Sequence, residues 1–182
     1  MIPSRIARGV PMSITVRDAT EADLSGILAI YNEVVRTSSA VYTEQEATLE
    51  DRKVWFAQRA GQGYPVLVAG HPADDSVLGY ATFGDFRPWP GYRHTVEHSV
   101  YVRADMRGRG VGRALVEPLF GRAASLGKHV MVAGIDAANP ASIRLHDRLG
   151  FERVGTLREV GHKFGRWLDL VFMQRFLDAG RD

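Results

Sequence analysis

The sequence contains no cysteine, which excludes disulfide bonds, thiolate metal ligands and a cysteine acyl-enzyme. It also has no apolar run near the roughly 18 residues that span a bilayer, and no continuous hydrophobic segment of signal-peptide type. We therefore expect a soluble, cytoplasmic protein. The formal net charge is only +2, so composition gives no strong case for a nucleic acid or a membrane as partner.

The chain has 182 residues, of which 45% are hydrophobic, and this is enough for one well-buried domain but little for two. We place that single domain over residues 13–178, followed by a short tail at residues 179–182. Residues 1–12 are predicted to be a flexible extension, because two arginines, two prolines and a glycine occur there without periodicity.

A valine-rich strand and a glycine-rich turn form the central motif, at Val96–Val102 and Arg107–Gly112. Glycine permits positive φ angles and removes the Cβ atoms that would obstruct a ligand, so successive N–H groups can surround an anion. From Val111 the apolar residues recur at helical spacing, which adds the positive end of a helix dipole. The predicted anion-binding residues are Arg107, Gly108, Arg109, Gly110, Val111, Gly112 and Arg113.

Three other classes of glycine-rich motif do not fit this turn. A dinucleotide fingerprint requires a small residue where Arg113 stands, and a P-loop requires a lysine followed by serine or threonine. An arginine-glycine segment that binds nucleic acid would be of low complexity, whereas this turn is flanked by periodic apolar sequence.

The pattern Arg-x-x-Gly-x-Gly after a valine-rich strand resembles the acetyl-coenzyme A pyrophosphate loop of the GCN5-related N-acetyltransferases (GNAT). Further motifs resemble the phosphinothricin and methionine sulfoximine acetyltransferase branch, namely Phe86–Trp89, Thr95–Val102, Asn139–Ser142, Leu149–Phe151 and Lys163–Trp167. The resemblance covers Ile14–Phe176. It implies an α/β GNAT acyltransferase fold with a mixed, central twisted sheet and flanking helices, acetyl-coenzyme A as co-substrate, no metal, and a homodimer.

The pattern of the chain supports such an alternation of strands and helices. Thr20 with Asp23 and Thr48 with Asp51 have the spacing of capping boxes, which predicts a helix after each. The other predicted elements are strands Val66–Ala69 and Val77–Phe86, helix Val111–Leu126, strand Val130–Ile135, a helix opened by Asn139, strand Phe151–Leu157, a polar connection Gly161–Arg166 and strand Trp167–Phe176.

Glu97 is the candidate general base. An amine attacks a thioester only as the free base, so a proton acceptor is useful, and the resemblance assigns that role to this position. Without the surrounding motif, Glu97 is interpreted about equally well as an ordinary exposed carboxylate on a strand or as a general base. The resemblance also implies that Val100, Tyr101 and Val102 lie along the pantetheine arm of the cofactor.

Arg87–Arg93 cannot extend a strand because of its prolines, yet it carries two arginines next to the Glu97 strand. Guanidinium groups match carboxylates in bidentate geometry, so this segment is either an acceptor-binding wall or an ordinary hairpin loop. The predicted acceptor-binding residues are Arg87, Pro88, Trp89, Arg93, Glu97, His98, Ser99 and Lys163.

Asn139, Ser142 and His146 follow one another at spacings of three and four, which puts Ser142 and His146 on one helix face. The resemblance implies that Asn139 and Ser142 contact the cofactor. Many relatives have a tyrosine where His146 stands, so this imidazole either protonates the leaving thiolate or simply packs. Lys163 either approaches the acceptor of a partner subunit or belongs to a solvated loop.

The expected reaction is direct transfer of acetyl from acetyl-coenzyme A to a small primary amine. By resemblance the amine is the α-amino group of methionine sulfoximine, methionine sulfone or phosphinothricin. Two alternatives remain open at this point. One is acetylation of another amine or a peptide N-terminus, and the other is a catalytically silent coenzyme A binding module.

Overall fold

The computed structural model describes residues 14–177. The predicted extension at residues 1–12 and the predicted tail at 179–182 lie outside the described residues. The helices are α1 Leu24–Thr37, α2 Leu49–Gly61, α3 Val111–Ser125 and α4 Pro140–Arg148. The strands are β1 Thr15–Asp18, β2 Val66–Gly70, β3 Val77–Asp85, β4 Thr95–Val102, β5 Val130–Asp136, β6 Glu152–Lys163 and β7 Arg166–Phe176.

The strands form one mixed sheet in the order β1-β2-β3-β4-β5-β7-β6. Only β4 and β5 run parallel among the described neighbours, and α3 connects them, while every other pair is antiparallel. The predicted α/β class with a mixed sheet and flanking helices is therefore confirmed. Of the helices within residues 14–177, none is long and apolar enough to cross a membrane.

Both predicted capping boxes are present. At the start of α2, the Asp51 amide donates to Thr48 Oγ1 at 3.2 Å and the Thr48 amide donates to the Asp51 carboxylate at 2.7 Å. The Thr20 amide likewise donates to Asp23 at 2.7 Å, but this box opens a single 3-10 turn that leads into α1. The caps satisfy N–H groups that a helix start leaves without partners.

Helices cover the sheet on both faces. On one face α3 buries Val111, Leu115 and Leu119 in the larger of two apolar clusters, which includes residues of β2, β3, β4, β5 and β7. On the other face α1 packs against a second cluster that includes Tyr80, with Tyr101 of β4 at its edge. Because side chains alternate along a strand, β4 presents Glu97, Ser99 and Tyr101 to the α1 face of the sheet.

The polar connection predicted at Gly161–Arg166 is wrong. Strand β6 continues through Lys163 and pairs with β7 up to the register Lys163 with Arg166, so only Phe164 and Gly165 form the turn. Their φ angles are 52° and 69°, which suits a two-residue hairpin turn. The second half of β6 was not predicted from the sequence because its residues are mostly polar. It forms a strand because it pairs with β7.

Candidate active site

The two parallel strands at the centre of the sheet separate after Glu97. The pairing of β4 with β5 extends from Thr95 with Val130 to Glu97 with Val132. Beyond that point β4 remains paired with β3 up to Val102, and β5 remains paired with β7 up to Asp136. A V-shaped gap therefore opens between two strands that are each held from the outer side.

The backbone of β4 presents unpaired groups to this gap. The His94 carbonyl accepts from the first amide of β5 at 3.2 Å, whereas the Thr95 carbonyl accepts from Phe86 on the β3 side at 3.3 Å. Because backbone direction alternates along a strand, the backbone groups of Val100 and the Val102 amide face the gap, while the Val102 carbonyl accepts from Arg107 Nε at 3.2 Å. An extended ligand with amide groups can pair with such an edge as an added strand would.

A cavity of about 280 Å³ fills the gap. Its walls are Glu97–Tyr101 of β4, Ala133–Asp136 of β5, part of α4 and the segment Ala40–Tyr42. Gly134 makes room for the Glu97 carboxylate, because a Cβ atom at Gly134 would lie 2.9 Å from Glu97 Oε1. The cavity thus opens where the strands part, with a carboxylate at its narrow end.

Burial raises the pKa of Glu97, and the positive charge of Arg87 offsets part of that shift. A carboxylate whose pKa moves towards neutrality is a stronger proton acceptor than an ordinary glutamate. The partly buried position of Glu97 therefore suits proton removal from an ammonium group.

Among the residues of the predicted acceptor-binding wall, Arg87–Arg93, only Arg87 changes the pKa of Glu97, which it lowers. Its guanidinium stacks 4.2 Å from the Phe86 ring centroid and donates to the Phe86 carbonyl at 3.0 Å. Trp89 is 70% exposed, and Arg93 donates to the Pro90 carbonyl at 3.3 Å. Arg87, Pro88, Trp89 and Arg93 all lie outside the lining of the cavity.

His98 and His146 form a buried pair between β4 and α4. Their Nε2 atoms are 3.0 Å apart, and His146 Nδ1 lies 2.7 Å from the Ser142 carbonyl oxygen. Burial lowers the pKa of His98 to about 3, with His146 as a smaller cause, and burial also lowers the pKa of His146. Both rings are therefore neutral near pH 7.

The partners of the two rings determine where their protons are. A carbonyl oxygen only accepts, so the single proton of neutral His146 is on Nδ1 and is bonded to Ser142. His98 must then donate from Nε2, which leaves its buried Nδ1 without a hydrogen-bond partner in the described structure. In this arrangement neutral His146 has no free N–H for a leaving thiolate.

The glycine turn has the backbone geometry of an anion site. Gly108 and Gly110 have φ angles of 73° and 88°, and Gly110 caps the first turn of α3. Gly112 allows α3 to approach α4, since a Cβ there would lie 3.1 Å from Leu145. The turn and the start of α3 therefore offer backbone N–H groups to a phosphate.

Exposed arginines surround the turn. Arg107 Nε donates to the Val102 carbonyl at 3.2 Å, and Arg113 pairs with Glu117 at 2.7 Å. Arg109 is exposed as well. Arg107 also lies 3.6 Å from Glu33, so two of these arginines are ion-paired, and Arg109 adds a positive charge where the resemblance implies a pyrophosphate.

Several parts of the cavity wall were not predicted from the sequence, among them Ala40–Tyr42, Gly134 and Asp136. Asp136 is buried, and its carboxylate accepts from Ser39 Oγ and from the Ala138 amide at 2.9 Å. Asp136 could have been predicted as a site residue from the sequence. It ends an apolar parallel strand, and functional side chains are often found at such strand ends. Lys163 contributes nothing to the lining, whereas Asn139, Ser142 and His98 do.

Residues 16–172 match the family described as Acetyltransferase (GNAT) domain. The chain belongs to the GNAT acetyltransferases. It is 56% identical to the L-methionine sulfoximine/L-methionine sulfone acetyltransferase of Pseudomonas aeruginosa, over 93% of this chain and 98% of that protein. The predicted family and branch are confirmed, and so is the prediction of an acetyltransferase.

Two solved structures are similar in fold and sequence. A phosphinothricin acetyltransferase from Sinorhizobium meliloti, in complex with acetyl-coenzyme A, has a TM-score of 0.88 and 43% identity, over 93% of this chain and 91% of that one. A ribosomal-protein-alanine N-acetyltransferase from Brucella melitensis has a TM-score of 0.86 and 50% identity, over 89% and 99%. Among residues 14–177, no group of three or more potential metal-ligating side chains occurs.

We expect Gly110→Val to weaken acetyl-coenzyme A binding severely, because valine disfavours a φ of 88° and adds bulk beside the turn. Isothermal titration calorimetry measures the affinity. Gly121→Val, in the same helix and with open space around its Cβ, is the control that should retain parental affinity. A folded Gly110→Val protein with parental affinity would show that the turn does not bind the cofactor.

Proposed function

We propose that the protein transfers acetyl from acetyl-coenzyme A to the α-amino group of a methionine sulfoximine, methionine sulfone or phosphinothricin-type amino acid. The observation that carries this proposal is the Glu97 carboxylate at the narrow end of a gap whose β4 edge is unpaired. The unpaired edge suits the amide-bearing arm of the cofactor, and the carboxylate suits the amine.

In the proposed mechanism Glu97 removes a proton from the bound ammonium group. The amine nitrogen then attacks the thioester carbonyl carbon, and an unpaired N–H of β4 stabilises the developing oxyanion. The carbon–sulfur bond breaks and coenzyme A leaves as the thiolate, which takes up the second proton that the nitrogen loses as it becomes an amide. We assign His146 to positioning α4 rather than to general acid catalysis, because its N–H is bonded to the Ser142 carbonyl.

Arg87 is the proposed partner of the acceptor carboxylate. Its charge acts on Glu97 from outside the cavity lining, and its guanidinium stacks on Phe86. An α-amino acid carries its carboxylate one carbon from the amine, so a cation near the base suits such a substrate. The names of the relatives support this substrate class.

A peptide N-terminus is the second candidate acceptor, favoured by the similarity to a ribosomal-protein-alanine N-acetyltransferase. The cavity volume of about 280 Å³ argues for the small amino acid, because a peptide requires an open groove. A thiol-release assay with methionine sulfone, phosphinothricin and an N-terminal alanine peptide compares the two classes. Faster turnover of the peptide would contradict the proposed acceptor.

We expect Glu97→Gln to lower turnover by a factor on the order of 10² while cofactor affinity stays nearly unchanged. In the parent, kcat/KM should rise with pH through a pKa above that of an ordinary glutamate, because burial raises the pKa of Glu97 and only the ionised base acts. Glu50→Gln, an exposed carboxylate on α2, is the control. Full turnover of Glu97→Gln at every pH would remove this residue from the mechanism.

We also propose a homodimer formed through β6. This strand is an edge of the sheet and pairs only with β7 in the described chain. It exposes Val154, Leu157 and Val160, and Trp167 on β7 is 66% exposed. Long apolar edge strands are normally covered, and a second copy of the same strand is self-complementary around a two-fold axis.

Multi-angle light scattering should give twice the chain mass for the parent protein. Val160→Glu should shift the mass to that of one chain, because a buried like-charge pair would form at the symmetric contact. Val54→Glu, at an exposed valine of α2, is the control and should leave the dimer intact. A parent protein with the mass of a single chain would contradict the homodimer.

A further inference from the structure

The ammonium group of Lys163 is buried, with 1% of the residue exposed. Nζ donates to the carbonyl oxygens of Ser38 at 2.6 Å and Val41 at 2.9 Å. A buried charge is costly unless it has close partners, so these two bonds hold the lysine and the backbone of residues 38–41 together. We call the segment Ser38–Glu44, which follows α1, the acceptor loop.

Other contacts attach the acceptor loop to the same part of the sheet. Ser39 Oγ donates to the Asp136 carboxylate, and Tyr42 donates its hydroxyl to the Asp169 carbonyl at 3.3 Å. Glu44 accepts from the Phe164 amide at 2.8 Å. Lys163 is the one charged donor among these contacts, and it bonds to two loop carbonyls rather than one.

The acceptor loop forms the cavity wall on the Glu97 side of the sheet. Ala40, Val41 and Tyr42 line the cavity. The loop follows α1, whose Tyr31 ring lies 6.2 Å from the Tyr101 ring, and Tyr101 shares its strand face with Glu97. The glycine turn and α3 belong to the opposite face, with the larger apolar cluster. The loop therefore faces the position from which an amine reaches Glu97.

We infer that Lys163 is a positioning residue that sets the acceptor wall by holding the carbonyls of Ser38 and Val41 from its own chain. This inference rests on the proposed function. Lys163 touches neither the cofactor turn nor Glu97, so its effect passes through the loop. Loosening the loop changes how well the amine is held near the base, and it leaves the glycine turn and the unpaired edge of β4 as they are.

Lys163→Met tests this assignment because it keeps a long apolar stem and removes the ammonium group. We expect the KM for methionine sulfone to rise about tenfold while the KM for acetyl-coenzyme A stays within about twofold. Hydrogen–deuterium exchange of the cofactor-free protein should become faster in residues 38–44 and stay unchanged in α3. Lys53→Met, which removes an exposed lysine of α2, is the control for lost charge.

Ser39→Ala is the second variant, because it removes a different attachment of the same loop and leaves Lys163 intact. It should raise the same KM by a smaller factor. If Lys163→Met does not fold, Ser39→Ala becomes the test. A parental KM for methionine sulfone, together with parental hydrogen–deuterium exchange in residues 38–44, would then overturn the inference. Equal rises in both KM values for Lys163→Met would also overturn it, since they indicate a general packing defect.

The exchange measurement separates this inference from the proposed function. If the parent protein transfers no acetyl group to methionine sulfone, the proposed acceptor is wrong, and loop exchange still tests the attachment. Unchanged exchange of residues 38–44 in Lys163→Met would then overturn the role of Lys163. Faster exchange confined to the loop would support it.

Discussion

The separation of β4 from β5 after Glu97 is the constraint on which the site depends. Two parallel strands that part inside a sheet leave N–H and C=O groups without strand partners, and here these groups face a cavity. The chain tolerates the gap because β3 and β7 hold the strands from outside. The hydrogen bond between His98 and His146 links β4 to α4 across the same gap. A ligand with amide groups that pairs with β4 makes the backbone hydrogen bonds that a neighbouring strand would otherwise have made.

The chemistry follows from where the gap begins. Glu97 is the last residue of β4 that is paired with β5, so its backbone is held while its side chain meets the cavity. Gly134 leaves space for the carboxylate, and partial burial raises its pKa. The glycine turn lies beyond the other end of β4, so the same strand connects the predicted phosphate site with the base. The chain needs few specialised side chains because strand geometry supplies most of the site.

Local sequence patterns predicted the parts of the structure that local physics determines. Thr48 with Asp51 marked a helix start, and the alternation in β4 separated Glu97 from His98 correctly. Contacts between residues that lie far apart in the sequence could not be predicted from local patterns. The end of β6 depends on pairing with β7, and the two acceptors of Lys163 lie 125 and 122 residues away in the sequence. A lysine in a polar stretch looks solvated until the fold brings carbonyl groups to it.

Two-substrate initial-rate kinetics test the central claim most directly, because the gap is interpreted as a site where cofactor and amine meet for direct transfer. Rates should be measured over a grid of acetyl-coenzyme A and methionine sulfone concentrations, with intact-mass analysis of protein incubated with acetyl-coenzyme A alone. The account predicts double-reciprocal lines that intersect and a protein mass that does not change. Parallel lines, together with a protein heavier by one acetyl group, would contradict direct attack in the gap.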